Sequence, residues 1–465
     1  MTSLADLSAV ELGRLYAAGD TSPTEVTEAV IARIEAWEPK LNATWAFDPE
    51  AARTAAAKAT SRWKKGEALG PLDGVPVTIK ENIATKDCPV PVGTAASDMT
   101  PAAADAPAAA RLREAGSVIL AKTTMPDYGM LSSGLSSFHK LARNPWDLNT
   151  NPGGSSAGAG SAAAAGYGPI HLGTDIGGSI RLPASWCGIV GMKGTNGRVP
   201  VDPAYLGRVV GPMTRTVADT ALAMSVLSKA DWRDGSALPP ADIDWMDLDG
   251  LQIRGLRIGL MLDIGAGMAP NAEVLAAVQE AARRFEAAGA VVEEVPAVLT
   301  REMLDGLDDF WRVRAWDDVE RLPEATRAKI LPYIRAWAES GQTRSALQAV
   351  RGLNRIFEMR KAAGRLFHGG GYDFVLSPVA PTVTYPADQA SPLDDPERPF
   401  EHIGYTVVWN MSEQPAISVN CGYDAKGLPI GLQIVGRRFD DLGVLRVAAA
   451  WEGMRDEQRP WPNFD

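Results

Sequence analysis

A stretch of glycine, alanine and serine at residues 151–181 constrains the fold of this chain more than any other feature. It reads NPGGSSAGAGSAAAAGYGPIHLGTDIGGSIR and contains two Gly-Gly-Ser elements, which end at Ser155 and Ser179. Only small side chains occur at residues 156–165, a composition that favours a helix packed tightly against its neighbours. Glycine pairs permit positive φ angles and close approach by other groups. We therefore expect a closely packed helix that follows one glycine-rich turn and precedes another.

The second turn, Gly177-Gly178-Ser179, suits a particular chemistry. Because glycine leaves the backbone free, successive N–H groups of this turn can point towards one position, which is how an oxyanion hole is built. A serine hydroxyl in such a turn becomes nucleophilic only with a base nearby. The candidate base lies far upstream at Lys80. Residues 75–79 alternate in the manner of a strand, which predicts that this lysine ends an internal strand.

Strand and helix patterns alternate through the rest of the chain. Two capping boxes open the first two helices, and a long helical segment occupies residues 304–367 of the second half. Predicted helices end near residues 18 and 38 and cover 49–65, 102–115, 217–227, 271–288 and 442–451; predicted strands cover 75–80, 118–122, 257–262, 291–295, 372–377, 417–420 and 431–435. This alternation predicts an α/β fold whose sheet is covered by helices on both faces.

Bulk composition excludes several classes of partner. Acidic residues outnumber basic ones by 57 to 46, which gives a net charge of −11. No basic run stands out, so neither nucleic acid nor a membrane surface is an expected partner. No apolar run reaches the ~18 residues of a membrane helix, and no signal-peptide pattern opens the chain. The three cysteines, Cys88, Cys187 and Cys421, lie far apart and indicate free thiols in a cytoplasmic protein.

A histidine-based triad is the first alternative to the lysine. Neither Ser155 nor Ser179 stands in the strand–turn–helix setting of a Gly-x-Ser-x-Gly elbow. His171 comes shortly before Ser179 in the chain and could be a core histidine as easily as a base. Because such a triad is defined by geometry, residue order does not exclude it. The histidines of the chain are His139, His171, His368 and His402.

A phosphate-binding loop and a metal centre find less support. The segment from Gly153 to Gly158 has the spacing of a Walker loop, but Ala159 stands where that loop requires lysine. A dinucleotide fingerprint requires a strand directly before its glycines, and no strand immediately precedes this run. The chain contains no HExxH, no His-x-His and no paired cysteines, so we expect neither a metal nor another cofactor.

The remaining candidates are one lysine and two serines. Lysine has a pKa of ~10.4 in water and serves as a base only when burial lowers that pKa, which the end of an internal strand provides. A hydroxyl between base and nucleophile can relay a proton, because it accepts from one neighbour and donates to another. We therefore predict Lys80 as the base, Ser155 as the relay and Ser179 as the nucleophile.

Several segments closely resemble the amidase signature family. They are GPLDGVPVTIKEN at residues 70–82, the GGSSAG run and GTDIGGSIRLPASWCGIVGMKGTNGRVP, and the similarity continues through residues 405–436. The resemblance covers nearly the whole chain and implies a single large α/β domain with a mixed, twisted β-sheet covered by helices on both faces. It further implies an amide hydrolase in which Lys80 is the general base, Ser155 a relay serine preceded by a cis peptide bond, and Ser179 the nucleophile.

The same resemblance implies roles for flanking residues. It implies an oxyanion hole of backbone N–H groups, a set of side chains that hold the nucleophile turn in shape, and a segment that lines the acyl side of the pocket. The residues of the oxyanion hole are Ile176, Gly177, Gly178 and Ser179. Those that hold the turn in shape are Thr174, Asp175 and Arg181, and those that line the acyl side of the pocket are Tyr128, Gly129 and Met130. We expect one amidase domain over residues 1–465, with a helical N-terminal portion at 1–65, a catalytic core at 70–200, a variable substrate-pocket portion at 201–400, and closing strands and helix at 401–465.

The substrate is less constrained by the sequence. The later half offers aromatic side chains that could line a pocket, and no cationic cluster stands out to bind a carboxylate. Because the family hydrolyses amides and some members cut carbamates or esters, we expect a neutral aryl or alkyl amide or a carbamate, cleaved by a monomer or homodimer. The aromatic candidates include Trp311, Trp316, Trp337 and Trp409.

Two other functions stay open. Within the family, the chain could be the glutamine-hydrolysing subunit of a tRNA-dependent amidotransferase complex. The segment Lys193-Gly-Thr-Asn196, where the family often has Lys-Pro-Thr and an aromatic residue, and the short C-terminus at Asp465 argue mildly against that role. Outside enzymes, the chain could be a catalytically silent scaffold protein, which the retention of the lysine and both serines argues against.

Overall fold

The computed structural model describes residues 3–464. Within that range the chain forms eleven strands of one sheet and fourteen α-helices. The strands are β1 (Thr44–Trp45), β2 (Pro76–Lys80), β3 (Val118–Thr123), β4 (Ile170–Asp175), β5 (Val190–Lys193), β6 (Val209–Thr214), β7 (Arg257–Leu260), β8 (Val291–Glu294), β9 (Phe374–Pro378), β10 (Ala416–Tyr423) and β11 (Pro429–Gly436). The helices are α1 (Ala9–Ala18), α2 (Pro23–Leu41), α3 (Pro49–Lys65), α4 (Pro107–Glu114), α5 (Ala157–Ala165), α6 (Arg181–Cys187), α7 (Val217–Leu227), α8 (Ala272–Ala287), α9 (Arg301–Glu320), α10 (Glu324–Arg327), α11 (Pro332–Glu339), α12 (Ala346–Gly364), α13 (Gly404–Met411) and α14 (Asp441–Met454).

The sheet runs in the order β1-β3-β2-β4-β6-β5-β10-β11-β9-β7-β8. Strand β2 pairs in parallel with β3 and β4, and β7 pairs in parallel with β8 and β9. The other neighbouring pairs are antiparallel. The prediction of a single large α/β domain with a mixed sheet is confirmed. Strands β2 and β4 lie side by side near one end of this order, and each leads into a segment of the candidate site.

Local sequence signals account for the amino-terminal helices. Ser8 and Ser22 accept hydrogen bonds from the N–H groups of Glu11 and Glu25, and each glutamate carboxylate accepts from the N–H of its serine, which completes two capping boxes. Asp48 caps α3 by accepting from the next helical turn. The predicted helix over residues 49–65 is confirmed to the residue.

Several elements differ from the sequence-based prediction. The helix expected at 102–115 is shorter, because Pro107 occupies its first turn, where a missing N–H is tolerated. The residues grouped with the closing strands at 404–411 form helix α13 instead. Every residue of α13 is buried, so hydrophobic periodicity does not distinguish this helix from a strand. Strands β4 and β6, both buried along their whole length, were not predicted for the same reason.

The small residues of α5 allow contacts that larger side chains would prevent. Every residue of this helix is buried. A Cβ atom at Gly158 would lie 2.1 Å from the carbonyl oxygen of Ala43 and 2.5 Å from the amide nitrogen of Thr124. A Cβ atom at Gly160 would lie 2.9 Å from Cβ of Pro183. The tight packing predicted for this helix is confirmed, and it brings the Ser155 turn against the core of the sheet.

No helix within residues 3–464 combines the length and the apolar character needed to cross a bilayer. Nor do those residues contain a group of three or more histidine, cysteine, aspartate or glutamate side chains placed to hold a metal ion.

Candidate active site

Lys80 ends β2, and its side chain is wholly buried. The Nζ atom lies 2.8 Å from Oγ of Ser155 and 2.8 Å from Oγ1 of Thr174. Burial lowers the pKa of Lys80 well below its ordinary value, the positive charge of Arg208 lowers it further, and nearby carboxylates, Asp175 first among them, oppose the shift. This amine therefore loses its proton far more readily than the amine of an exposed lysine.

Ser155 follows two glycines, Gly153 and Gly154, at positions where a side chain would be strained or would clash. The peptide bond between Gly154 and Ser155 is cis, as the family resemblance implies. Gly153 adopts a φ of 87°, a conformation that favours glycine. A Cβ atom at Gly154 would lie 2.4 Å from the amide nitrogen of Ser133. The position of the Ser155 hydroxyl against Lys80 is thus fixed by the backbone around it.

Ser179 lies in the turn that connects β4 to α6, where it is half-buried and faces a cavity. Gly178 adopts a φ of 123°, and a Cβ atom there would lie 2.4 Å from Oγ1 of Thr406. The Thr406 hydroxyl in turn donates to the carbonyl of Gly177 at 2.6 Å. The N–H of Ser156 donates to the carbonyl of Ser179 at 3.2 Å, so the two serine turns are joined directly.

The four residues predicted for an oxyanion hole are not equivalent. Ile176, Gly177 and Ser179 line the cavity, whereas Gly178 is not part of its wall. The N–H of Gly178 donates to Oδ1 of Asp175 at 2.8 Å. The Gly178 N–H therefore stabilises the turn itself, because the buried Asp175 carboxylate needs hydrogen-bond donors.

Asp175 and Arg181 form a buried ion pair behind the turn. Arg181 donates to the two carboxylate oxygens, from Nε at 3.1 Å and from Nη2 at 3.0 Å. Burial alone would raise the pKa of Asp175, but the Arg181 guanidinium holds it well below its usual range. Arg181 also donates to the side-chain oxygens of Asn410 and Gln433, both at 2.6 Å. The pair thus ties the nucleophile turn to α13 and β11.

Several side chains that hold this site have no role predicted from the sequence. Asn82 donates to Oγ1 of Thr174 at 3.2 Å, Asn410 donates to Asp175 at 2.8 Å, and Gln433 receives the hydrogen bond from Arg181. Asn410 and Gln433 are polar residues within the apolar segments TVVWNM and GLQIV. Because buried polar groups require partners, such residues could have been noticed, although the sequence does not name those partners.

Replacing Asp175 by asparagine is expected to destabilise the fold by about 3–5 kcal/mol, because the buried Arg181 guanidinium loses its counter-charge. Urea unfolding at neutral pH measures this loss. The matched control is Asp317→Asn, whose partner Arg321 lies at 3.1 Å and whose pair is 65% or more exposed, so that the expected loss stays below about 1 kcal/mol. Equal stability of the two variants would contradict an anchoring role for the buried pair.

A cavity opens in front of Ser179. Most of its wall is apolar, and four polar side chains besides Ser179 interrupt that wall. The apolar contributors include Met130, Leu131, Ile176, Trp311, Phe400 and Ile403, and the polar ones are Ser132, Arg314, Ser391 and His402. Such a wall suits an uncharged, partly apolar ligand.

Of the three residues predicted to bind substrate, two line the cavity and one does not. Gly129 and Met130 line the cavity, and Tyr128 is not part of its wall. The backbone of Tyr128 forms a turn with a φ of 52°, and its N–H donates to the carbonyl of Val92 at 2.7 Å. A Cβ atom at Gly129 would lie 3.3 Å from Oγ of Ser155, so glycine at this position leaves the relay hydroxyl unobstructed.

Among the four tryptophans proposed from the sequence, Trp311 reaches the cavity. Trp337 and Trp409 are core residues with exposures of 2% and 0%. The guanidinium of Arg314 also lines the cavity and stacks on the ring of Tyr205, 3.7 Å from its centroid. This arginine was not predicted from the sequence, because nothing local distinguishes it from the other charged residues of α9.

The four histidines do not form a triad with either serine. His171 is buried between the Thr78 hydroxyl at 2.7 Å and the Gly168 carbonyl at 2.9 Å, and burial lowers its pKa to about 3. His402 lines the cavity but contacts Ser132. Within residues 3–464, no hydrogen bond joins any histidine to Ser155 or Ser179. His139 contacts Glu81, and His368 is exposed.

The chain is similar to known proteins over nearly its whole length. The sequence model described as Amidase matches residues 25–445. The chain is 35% identical over 490 residues to a glutamyl-tRNA(Gln) amidotransferase subunit of Chloroflexus aggregans, covering 98% of each protein. It is 32% identical over 475 residues to an acylamidase of Rhodococcus erythropolis, covering 98% of this chain and 96% of that protein. A solved bacterial aryl acylamidase of the amidase signature family superposes with a TM-score of 0.88 at 30% identity and 96% coverage of both chains.

The fold and the extent of these matches define the class of protein. The chain belongs to the amidase signature family, and its activity is the hydrolysis of carbon–nitrogen amide bonds. The relatives include acylamidases as well as a component of an amidotransferase. Membership of the family therefore leaves the particular substrate to be argued from the site.

Proposed function

We propose that this protein hydrolyses a neutral aryl or alkyl amide, or a carbamate, through an acyl-enzyme formed on Ser179, with Ser155 as proton relay and Lys80 as general base. One observation supports this proposal above the others: the Nζ atom of a wholly buried lysine lies 2.8 Å from Oγ of Ser155. A buried amine with a lowered pKa is a base, and a hydroxyl at this distance is placed to exchange a proton with it.

Acylation begins when Oγ of Ser179 attacks the carbonyl carbon of the substrate. The Ser179 proton passes to Oγ of Ser155, whose own proton passes to Nζ of Lys80. A neutral lysine amine has two N–H groups and one lone pair, so it donates to Thr174 while it accepts from Ser155. The new carbon–oxygen bond converts the carbonyl into a tetrahedral intermediate with a negatively charged oxygen.

Collapse of the intermediate breaks the carbon–nitrogen bond. The proton on Lys80 returns through Ser155 to the leaving nitrogen, which departs as a neutral amine. Water then attacks the acyl carbon and gives its proton to the same relay. The second intermediate releases the carboxylic acid and restores the Ser179 hydroxyl, so that lysine and relay end each cycle in their original protonation states.

The negative oxygen of both intermediates needs hydrogen-bond donors that are already in place. We assign this role to the backbone N–H groups of Ile176, Gly177 and Ser179, three residues that line the cavity. The Gly178 N–H is engaged by Asp175 and contributes by fixing the turn. Donors that need no reorganisation stabilise a developing charge most effectively.

The cavity wall supports the neutral substrate class. Trp311 and Phe400, whose ring centroids lie 5.0 Å apart in an edge-to-face arrangement, offer an aromatic surface near the nucleophile. Arg314 is stacked on Tyr205, which occupies one face of its guanidinium. The acylamidases among the relatives and solved structures add weight to this class.

Glutamine hydrolysis within an amidotransferase complex is the second candidate function. The 35% identity to an amidotransferase subunit over 98% of both proteins favours it. A panel of 4-nitroacetanilide, ethyl N-(4-nitrophenyl)carbamate and glutamine separates the candidates. We expect release of 4-nitroaniline from at least one aryl substrate and no ammonia from glutamine. Ammonia release without aryl turnover would favour the amidotransferase role, and inertness towards all three would contradict the hydrolase proposal.

Replacing Ser155 by alanine is expected to lower kcat/KM by about 10²–10⁴-fold, the usual contribution of positioned acid–base groups. Alanine keeps the backbone but removes the hydroxyl that links Lys80 to the nucleophile. Ser161→Ala is the matched control, since this buried serine of α5 donates to the carbonyl of Arg143 at 2.9 Å and lies outside the proposed relay. Initial rates of 4-nitroaniline release measure both variants. An unimpaired Ser155→Ala enzyme would remove the relay from the mechanism.

A further inference from the structure

Two polar side chains face each other in the otherwise apolar wall of the cavity. Nε2 of His402 lies 2.7 Å from Oγ of Ser132. Both residues line the cavity that contains Ser179. Their exposures are 3% and 8%, so this pair is buried among apolar residues except where it meets the cavity. The proposed mechanism uses neither residue.

The pair is attached to both serine turns. A Cβ atom at Gly154, the residue before the relay serine, would lie 2.8 Å from the carbonyl carbon of Ser132. His402 belongs to a helical turn that continues into α13. In that helix, the Thr406 hydroxyl donates to the carbonyl of Gly177 at 2.6 Å. The pair is therefore held at a fixed position relative to the reacting bond.

The pair carries no charge at neutral pH. Burial lowers the pKa of His402 to about 3, an effect that the Glu401 carboxylate only partly opposes. That carboxylate is itself bound by Arg301, at 2.7 and 2.9 Å. A neutral imidazole next to a hydroxyl offers one hydrogen and free lone pairs to a third group.

We propose that His402 and Ser132 form a specificity subsite that binds an uncharged hydrogen-bonding group of the substrate, such as a second amide, a carbamate or a hydroxyl. This inference rests on the proposed hydrolysis at Ser179 and narrows its substrate class. An apolar group at this position leaves the remaining hydrogen and lone pairs of the two side chains without a partner, and sites with such unpaired polar groups reject apolar ligands. A carboxylate or ammonium group gives up its water without gaining an opposite charge from the pair.

Matched 4-nitroanilides test this subsite. In one series the acyl chain ends in a carboxamide, an isopropyl group or a carboxylate, with two to five methylenes before it. In a second series the corresponding groups are carried on the aniline ring. We expect the wild-type ratio of kcat/KM, carboxamide over isopropyl, to fall by about tenfold in Ser132→Ala and His402→Leu for at least one chain length, and to be largely restored in His402→Gln, which keeps a neutral donor and acceptor. The control His368→Gln changes an exposed histidine and leaves the ratio unchanged.

The outcomes separate the two proposals. If wild type cleaves the anilides but no ratio in either series changes in the Ser132 and His402 variants, the subsite is refuted while hydrolysis at Ser179 stands. A wild-type preference for the carboxylates also refutes it, and indicates that Arg314 selects the substrate. If wild type cleaves none of the anilides, the subsite fails, and the proposed function fails with it when ethyl N-(4-nitrophenyl)carbamate is inert as well. Because Ser132→Ala removes a single atom, it keeps the test valid even if His402→Leu does not fold.

Discussion

Ser179→Ala is expected to abolish amide hydrolysis and to leave the fold intact. The proposed mechanism forms its covalent bond through Oγ of Ser179, and loss of a nucleophile from a serine hydrolase lowers kcat by about 10⁴-fold or more. The side chain is half-buried, and among residues 3–464 it makes no hydrogen bond on which the turn depends. The turn is held instead by backbone contacts and by Thr406. Alanine therefore removes the reacting atom with little structural consequence.

Labelling with a small fluorophosphonate provides an independent measurement on the same variant. An activated serine displaces fluoride from phosphorus and keeps the phosphonyl group, which intact mass and peptide mapping detect. We expect one adduct on Ser179 in the wild type and none in Ser179→Ala. The Ser161→Ala control retains both the adduct and the turnover. An adduct on another serine, or turnover in Ser179→Ala above one per cent of wild type, would show that the nucleophile is misplaced.

The sequence predicted those parts of the fold whose signals are local. Capping boxes and alternating apolar residues marked the first helices and β2, since these signals depend only on neighbouring residues. The helix at 404–411 and strands β4 and β6 escaped detection because they are buried on all sides. A segment that is buried on every side need not alternate between apolar and polar residues, so the periodicity that distinguishes helix from strand is weak there.

The candidate site also has a part that local sequence signals predict and a part that they do not. Lys80, Ser155 and Ser179 could be selected because glycine-rich turns and an internal lysine are unusual in themselves. The contact between Lys80 and Thr174, and the assembly of Asn410 and Gln433 around Arg181, join residues far apart in the chain. Such pairings are set by sheet order, here the adjacency of β2 and β4, and no single sequence specifies that order locally.

The cavity wall shows the same limit more sharply. Trp311 and Trp409 were equivalent candidates from the sequence, yet only the first lines the cavity, because the second lies on the buried helix α13. The pairing of His402 with Ser132 joins two segments that have no common sequence signal. Residues that set specificity are therefore the least predictable part of the site, since they depend on how separate loops meet.

Replacing Lys80 by methionine is expected to abolish hydrolysis and also to change how stability depends on pH. The loss of activity follows from the loss of the base. In the wild type, kcat/KM is expected to fall as the pH drops below the lowered pKa of Lys80, because the protonated amine cannot accept a proton. Methionine has a similar length and no charge, so it fills the buried space without restoring the base.

The stability effect follows from proton binding in the two states. In the unfolded chain Lys80 binds a proton up to its ordinary pKa of ~10.4, whereas in the folded chain it releases that proton at a lower pH. Between these two pKa values the unfolded state binds one more proton, so stability rises with pH, by about 1.4 kcal/mol per pH unit from this residue. Below the folded pKa both states are protonated and the contribution no longer changes.

In Lys80→Met, stability should therefore rise with pH less steeply than in wild type, because the contribution of Lys80 is absent. Urea unfolding measured from pH 6 to 10 reveals this difference. Lys122→Met is the matched control: this buried lysine of β3 also has a lowered pKa, of about 8, but does not contact the two serines. It should lose its own part of the slope between about pH 8 and 10 and keep its activity. A Lys80→Met slope identical to that of wild type would mean that Lys80 is charged in the folded protein, and a charged lysine cannot serve as the base on which the proposed mechanism depends.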